Sequence, residues 1–488
     1  MSLENYFNSF RKNVIGIDKL HPFKAGMLPI IYADWAASGR LYEPIEEYIS
    51  HTLGPYVANT HTETSLTGCT MTHLYKEARD IIKQHVGAGD GDVLLFEGFG
   101  MTGAVNKFQR LMGLRTVKAT TKNLTTSHEK PLIIITHMEH HSNQTSWIEC
   151  DVDVEIIEPG IDGRPSLDHL EHILQSNSSR PLLMASVSAC SNVTGISTNY
   201  YKIAELMHRY GGYVCVDFSG SAPYVKIDMH PENPEESLDV IFFSPHKFLG
   251  GPGSSGVLAF NKKLYQHNVP DNPGGGTVKW TNPWGEHRYY EDIETREDGG
   301  TPGFLQATKA SLAILLKERM GVDKIIAREK ELVCRLLDGI KHQQQIEILE
   351  SHQMQRLGFI SFYAKDVHYN LFVKLLNDYF GIQSRGGCSC AGTYGHILLN
   401  VDKNQSKSIT DKIDLGNLAD KPGWVRISLH PVMSDQEIDR IVEGINAVVE
   451  HHQTWAKDYQ FNSCTGEFEP LSNVDQYIDI KHSFNVIK

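Results

Sequence analysis

The sequence predicts an α/β protein with a large, mainly parallel sheet domain followed by a smaller α+β domain. Three observations predict it. Between residues 90 and 260, short β-rich runs alternate with helical or loop segments. A long helical pattern follows, from near Leu305 to about Lys341, with a break at Gly321. From about Gln344 a second, shorter alternation of strand and helix patterns begins. Continuous apolar runs separated by amphipathic segments mark strands that are buried on both faces under helices.

The runs are DVLLF, PLIIIT, VDVEII, LLMASVS, YVCVDF, LDVIFF and GVLAF. Five exits are polar and carry glycine or histidine: EGFGMTG, HMEHHSN, SACSNVTG, DFSGSAP and SPHKFLGG. Open α/β sheets bind ligands at the carboxyl ends of their strands, so these exits are the candidate site. Residues 265–303, with NPGGGTVKWTNPW and REDGGTPGF, are expected to form a loop rather than a regular element. The helical pattern around Gly321 reads as a link between two lobes. Beyond it, QIEILE, LGFISFYA and WVRISL read as strands, and YNLFVKLLNDYF and SDQEIDRIVEGINAVVEHH as helices. The expected organisation is an N-terminal segment (1–30), a large domain (31–320), a small domain (321–455) with a polar surface insertion at about 400–422, and a tail (456–488) without clear period.

Composition limits the function. The chain has 488 residues, with 46 Lys+Arg against 59 Asp+Glu and a formal charge of -13. Nucleic acid and anionic membranes are therefore poor partners, and small metabolites good ones. No stretch approaches a membrane span, and the first residues, MSLENYFNSFRKNVIG, do not read as a secretory signal. Eight cysteines outside any short disulfide framework suit a reducing cytoplasm.

Lys247 is the first candidate. It follows the apolar run VIFF inside a frame of glycine, serine and proline. A desolvated lysine loses pKa, and a partly neutral amine can form a Schiff base with a carbonyl, as pyridoxal phosphate requires. Ser244 and His246 are short-range donors for a phosphate, and the glycines permit close backbone approach. The alternative is a glycine turn with an incidental lysine. Asp217, at the exit of YVCVDF, is a buried carboxylate that needs a partner, and a protonated pyridinium nitrogen is one. It reads equally as a turn cap. In THMEHHSN, one of His140 and His141 is expected to face the site and stack on an aromatic ring. A zinc pair is disfavoured, because adjacent histidines on an extended chain diverge.

Gly98, Gly100 and Gly103 form a literal G-x-G-x-x-G between a strand and a helix. That is a dinucleotide fingerprint, but TVKATTKNLTTSHEK offers no acidic residue to close a following strand. A helix N-terminus binds any phosphate, so the amides near Gly100 and Met101 and the Thr102 hydroxyl also suit a phosphate monoester. In QSRGGCSCAGTYGH, Cys388 and Cys390 lie near Arg385, and a thiolate beside an arginine is nucleophilic. A C-x-C metal site with His396, or inert buried thiols, are the alternatives. Arg426 falls inside the apolar strand WVRISL, where an unpaired guanidinium is expensive and a substrate carboxylate would satisfy it.

Taken together, YADWAASGR, MEHHSN, SNVTG, VDFSGSAP, FSPHKFLGGPGSSG, SRGGCSCAG and WVRISL resemble the cysteine desulfurase and selenocysteine lyase group of the class V aminotransferases. The resemblance covers most of the chain. It implies the aspartate aminotransferase-like fold type I and bound pyridoxal 5'-phosphate. It makes Lys247 the Schiff-base lysine, Asp217 the pyridinium partner, His140 the stacking ring and Asn192 the partner of the ring hydroxyl. Ser244, His246, Met101 and Thr102 would hold the phosphate, joined by Thr301 of GGTPG from a partner subunit, which implies a homodimer. Cys390 would accept sulfur, leaving a persulfide while L-cysteine becomes L-alanine. Arg426, Arg385 and His61 would contact substrate, and a sulfur-acceptor protein would follow. No metal is implied. The chain departs from the pattern in having Gly220 three residues after Asp217, where many relatives carry glutamine, and a longer segment before Arg426. An aminotransferase or carbon–sulfur lyase with Cys390 as bystander is the nearest alternative. A nicotinamide dehydrogenase, or a thiol or metal carrier built on the C-x-C segment, is more distant.

Overall fold

The computed structural model describes residues 2–115 and 130–471. All seven apolar runs form one sheet. Its strands are β1 (Asp92–Glu97), β2 (Leu132–Thr136), β3 (Asp153–Ile157), β4 (Leu183–Ser188), β5 (Tyr213–Asp217), β6 (Val240–Phe243) and β7 (Gly256–Asn261). Their spatial order is β1-β7-β6-β5-β4-β2-β3, with β7 antiparallel to both neighbours and the remaining pairs parallel. Successive residues feed opposite faces, as strand geometry requires. Leu132 and Ile134 enter one hydrophobic core, and Ile133 and Ile135 the other. Helices cover both faces, so the runs are continuously apolar rather than alternating.

Beyond the sheet, helices Phe304–Met320 and Val322–Ile340 meet at Gly321, whose φ of +80° makes the break. The second sheet contains β8 (Ile346–Ile348), β9 (Phe359–Ala364), β10 (Arg385–Gly387) and β11 (Trp424–Ser428), ordered β8-β9-β11-β10 and antiparallel. Helices Tyr369–Phe380 and Asp435–Trp455 bury their apolar faces in the core of this lobe. The N-terminal helix Leu3–Arg11 adds Phe7 and Phe10 to that same core. Ile31–Tyr32 pairs in parallel with Ile382–Gln383, and Asp34 bridges to Ser428. The start of the chain is thereby fixed beside β11.

Three segments hold more regular structure than the sequence pattern suggests. Within 265–303 an antiparallel hairpin joins Val278–Thr281 to His287–Tyr289, and helix Ile293–Glu297 follows. The hairpin is largely exposed, so its strands carry no burial alternation to read. The polar insertion contains helix Lys403–Asp414, which buries no residue and is held at its start by the Asp402 capping box. In the tail, Tyr459–Asn462 pairs with Glu467–Pro470, while residues 472–488 lie outside the described residues. Among the described residues no helix is long and apolar enough to cross a membrane.

Candidate active site

The five polar exits converge on one cleft of about 250 Å³. Met101 and Thr102 follow β1, His140 and Ser142 follow β2, Cys190 and Asn192 follow β4, Asp217 and Ser219 end β5, and Ser244, His246 and Lys247 follow β6. The opposite wall comes from Ala36 and Ala37 and from Arg385, Ser389, Cys390 and Arg426 of the second lobe.

Lys247 ends a single 3-10 turn, Pro245–Lys247, that caps the fully buried β6. The glycine frame serves this turn: a Cβ on Gly251 would lie 1.9 Å from the Pro245 carbonyl oxygen. Here close packing of the turn, not approach to an anion, is what requires glycine. Burial lowers the Lys247 pKa to about 8, with Asp217 opposing and Arg426 and Arg385 adding to the shift. Asp217 is 5% exposed, and its Oδ1 accepts from the Ser219 N–H at 2.8 Å. Burial pushes its carboxyl up, opposed by Ser219 and by Lys247.

His140 caps helix His141–Ile148, its Nδ1 accepting from the Ser142 N–H at 3.1 Å. Burial, then the nearby Lys247, lowers its pKa to about 3, so the ring is neutral. Beneath it Glu139 is fully bonded to Thr136, Asn143 and Ser188, which fixes the exits of β2 and β4 together. Ser244 Oγ accepts from the Met101 N–H at 2.8 Å, and the His246 imidazole contacts the Phe99 carbonyl at 2.8 Å. At Gly100 a Cβ would meet Ser244 Oγ and His246 Cε1, each at 3.0 Å. That glycine therefore keeps the start of helix Met101–Leu111 open.

Arg426 is buried but already paired. Its guanidinium donates to Asp34 Oδ1 at 2.7 Å and to the Asn192 carbonyl at 3.0 Å, while its Nε has no hydrogen-bond partner. Arg385 donates to Asp34 Oδ2 at 2.9 and 3.0 Å. The guanidinium that the sequence left in need of a partner thus has one within the chain, Asp34. Arg385 and Arg426 are direct cross-strand partners, a repulsive pairing that the carboxylate between them offsets. Two cations share one anion, which leaves the cluster one positive charge in excess. Asp34 lay in the quoted YADWAASGR, yet no local feature of that segment marks it as a bridge.

Cys390 is exposed and lines the cleft, whereas Cys388 is half-buried against Met138, Val193, Tyr394 and Trp424. Among the described residues no group of three or more metal ligands forms, and His396 instead bonds Ser406 and the Gly392 carbonyl. Two predicted residues are outside the cleft. His61 Nε2 contacts the Gly300 carbonyl at 3.1 Å, and Thr301 Oγ1 donates to Asn59 at 3.4 Å.

Residues 31–441 match the family described as "Aminotransferase class-V", and the chain belongs to that family. Among similar proteins, one described as "Probable cysteine desulfurase" from Halalkalibacterium halodurans is 28% identical over 74% of this chain and 84% of its own length. A "Cysteine desulfurase" from Haloferax volcanii is 24% identical over 86% and 90%. Among solved structures, a cysteine desulfurase from Thermococcus onnurineus superposes with a TM-score of 0.69 at 22% identity, covering 86% of this chain and 95% of that one. One from Escherichia coli gives 0.69 at 20% identity, covering 91% and 98%. These likenesses show the fold, the type I fold of pyridoxal-phosphate enzymes expected from the sequence.

The lowered pKa of Lys247 has a direct readout. Only the neutral amine is nucleophilic, so its modification by an amine acylating reagent rises with pH and levels off above about pH 8, while a surface lysine keeps rising to about pH 10. Peptide mass spectrometry of the cofactor-free protein across pH 6–11 measures this. A Lys247 profile superimposed on that of surface lysines contradicts the desolvated site.

Proposed function

We propose that the chain is a pyridoxal-phosphate enzyme that converts L-cysteine to L-alanine and receives the sulfur on Cys390. The observation that carries the reading is the shared cleft: an exposed Cys390 faces Lys247 and Asp217, with the Arg385–Asp34–Arg426 cluster beside them. The family is pyridoxal-phosphate-dependent in general, and the relatives named above are described as a probable cysteine desulfurase and a cysteine desulfurase.

The residues present fit the cofactor. Asn192 Oδ1 is buried without a hydrogen-bond partner, which suits a ring hydroxyl. Gly100, Met101, Thr102, Ser244 and His246 form an open polar cradle at a helix N-terminus, suited to a phosphate. Asp217 is a buried carboxylate suited to a pyridinium, and the neutral His140 ring suits stacking. When bound, pyridoxal phosphate supplies an electron sink that acidifies the substrate Cα hydrogen and loosens its carbon–sulfur bond.

The chain's own residues do the rest. Arg426 and Arg385 hold the substrate carboxylate with the donors that Asp34 leaves free. Lys247 Nζ, about half of it neutral at pH 8, takes the Cα proton and returns a proton as alanine forms. Cys390 Sγ attacks the substrate sulfur, so the carbon–sulfur bond breaks and a sulfur–sulfur bond forms. One L-cysteine and one thiol yield one L-alanine and one enzyme persulfide, with no external oxidant. The exposed persulfide is then open to the thiol of an acceptor protein.

Thr301 acts from a second copy of the chain. Phe99, beside the phosphate cradle, is 81% exposed, and Leu66 and Trp284 are also largely exposed, which suits cover by a partner. Sedimentation is expected to show a dimer, and Thr301→Ala to weaken cofactor affinity without changing the spectrum. A monomer with full cofactor affinity contradicts this.

Cys390→Ala is expected to abolish alanine release from L-cysteine while the bound-cofactor absorbance stays intact, and Cys388→Ala to retain at least part of the activity. Alanine, pyruvate and sulfide are measured together. Undiminished alanine release in Cys390→Ala ends the desulfurase reading, and pyruvate or a keto acid as its product assigns the lyase or aminotransferase reaction instead.

A further inference from the structure

The thiol-bearing segment is held by hydrogen bonds on both sides. Cys388 to Ala391 form a tight turn, closed by the Ala391 N–H donating to the Cys388 carbonyl at 3.0 Å. Both central residues have positive φ, +50° at Ser389 and +58° at Cys390. This is the φ signature of a type I′ turn, whose central positions favour glycine, asparagine and aspartate. For other residues the left-handed conformation costs roughly 1–2 kcal/mol each. Such a turn persists only where its surroundings over-determine it.

The restraints come from both sides. Asn192 Nδ2 donates to the Ser389 carbonyl at 2.7 Å, and Trp424 Nε1 to Ser389 Oγ at 3.2 Å. His141 grips the other half twice. Its backbone N–H donates to the Cys390 carbonyl at 2.8 Å, and its Nε2 accepts from the Gly392 N–H at 2.9 Å. Gly392 makes room for this contact, since a Cβ there would lie 3.1 Å from Nε2. His141 itself does not line the cleft, whereas its neighbour His140 does.

We propose that His141 is a positioning residue for Cys390, holding the peptides on either side of Ala391 so that the turn stays left-handed and the thiol stays at the cleft. The proposal rests on the reading of Cys390 as sulfur acceptor. It assigns the two adjacent histidines different tasks, His140 to the cofactor and His141 to the thiol. The imidazole must present a bare Nε2, so the neutral ring carries its proton on Nδ1.

The test uses the full chain loaded with pyridoxal phosphate, as His141→Phe, His141→Gln and Gly392→Ala. The first removes the acceptor, the second replaces it with a side-chain oxygen, and the third displaces the ring. His141→Phe and Gly392→Ala are expected to keep the cofactor absorbance and to hold the KM for L-cysteine within about twofold, while single-turnover alanine formation falls about tenfold or more. His141→Gln is expected to recover most of that rate. An undiminished rate in His141→Phe, or an equal loss in His141→Gln, overturns the proposal. Iodoacetamide labelling, mapped by peptide mass, reads the turn without turnover. Wild type is expected to label Cys390 over Cys388, with the ratio falling about threefold or more in His141→Phe. An unchanged ratio overturns the proposal. If Cys390→Ala proves active, the desulfurase reading fails on its own, and the labelling ratio still decides the role of His141.

Discussion

The ammonium of Lys247 is held at the end of a buried strand, with a buried carboxylate, Asp217, as its counter-charge. Most of the large lobe serves that placement. The strand VIFF is fully buried, so the turn that leaves it cannot relax into solvent. Gly251 lets the turn close on itself, and Gly39 passes so near Phe248 that a Cβ would lie 1.9 Å from its carbonyl oxygen. Asp217 is placed by β5, the neighbour of β6 in the sheet. Asp217 thus ends one strand and Lys247 lies on the tight turn that leaves its parallel neighbour, so the sheet sets their separation.

The second constraint is electrostatic and joins the lobes. Asp34, from the segment that enters the structure beside β11, neutralises one of two guanidiniums that the antiparallel register sets face to face. Arg426 also donates to the Asn192 carbonyl, and Asn192 in turn holds Ser389. Substrate-side charge, cofactor-side amide and thiol-bearing turn thus form one connected network. Shifting any of its members moves the others, because each buried polar group depends on its neighbour for a hydrogen bond.

Much of this was legible in the sequence. Each of the seven strands was marked by an apolar run, and the five exits that form the cleft were polar and glycine- or histidine-bearing, because a ligand site at strand ends requires it. Lys247 and Asp217 were visible as charged groups costly at the ends of buried strands, though each also read as a turn residue. His140 was chosen over His141, and Cys390 over Cys388, by the family resemblance alone. What stayed hidden depends on distant partners. Asp34 reaches Arg426 across 392 positions of sequence, and no local pattern encodes that pair. The strained turn at Ser389 and Cys390 was equally unreadable, since its left-handed backbone is imposed by Asn192, His141 and Trp424 rather than chosen by residue type. Thr301 and His61 were singled out by resemblance, and within one chain they meet each other's segment rather than the cleft.

The central claim is that the desolvated Lys247 amine carries the cofactor. Borohydride reduction of the pyridoxal-phosphate-loaded protein, followed by proteolysis and peptide mass mapping, tests it most directly. The account predicts one pyridoxyl group per chain, on Lys247 within VIFFSPHKFLGG. Labelling confined to another lysine, or no stable label after reduction, would contradict it.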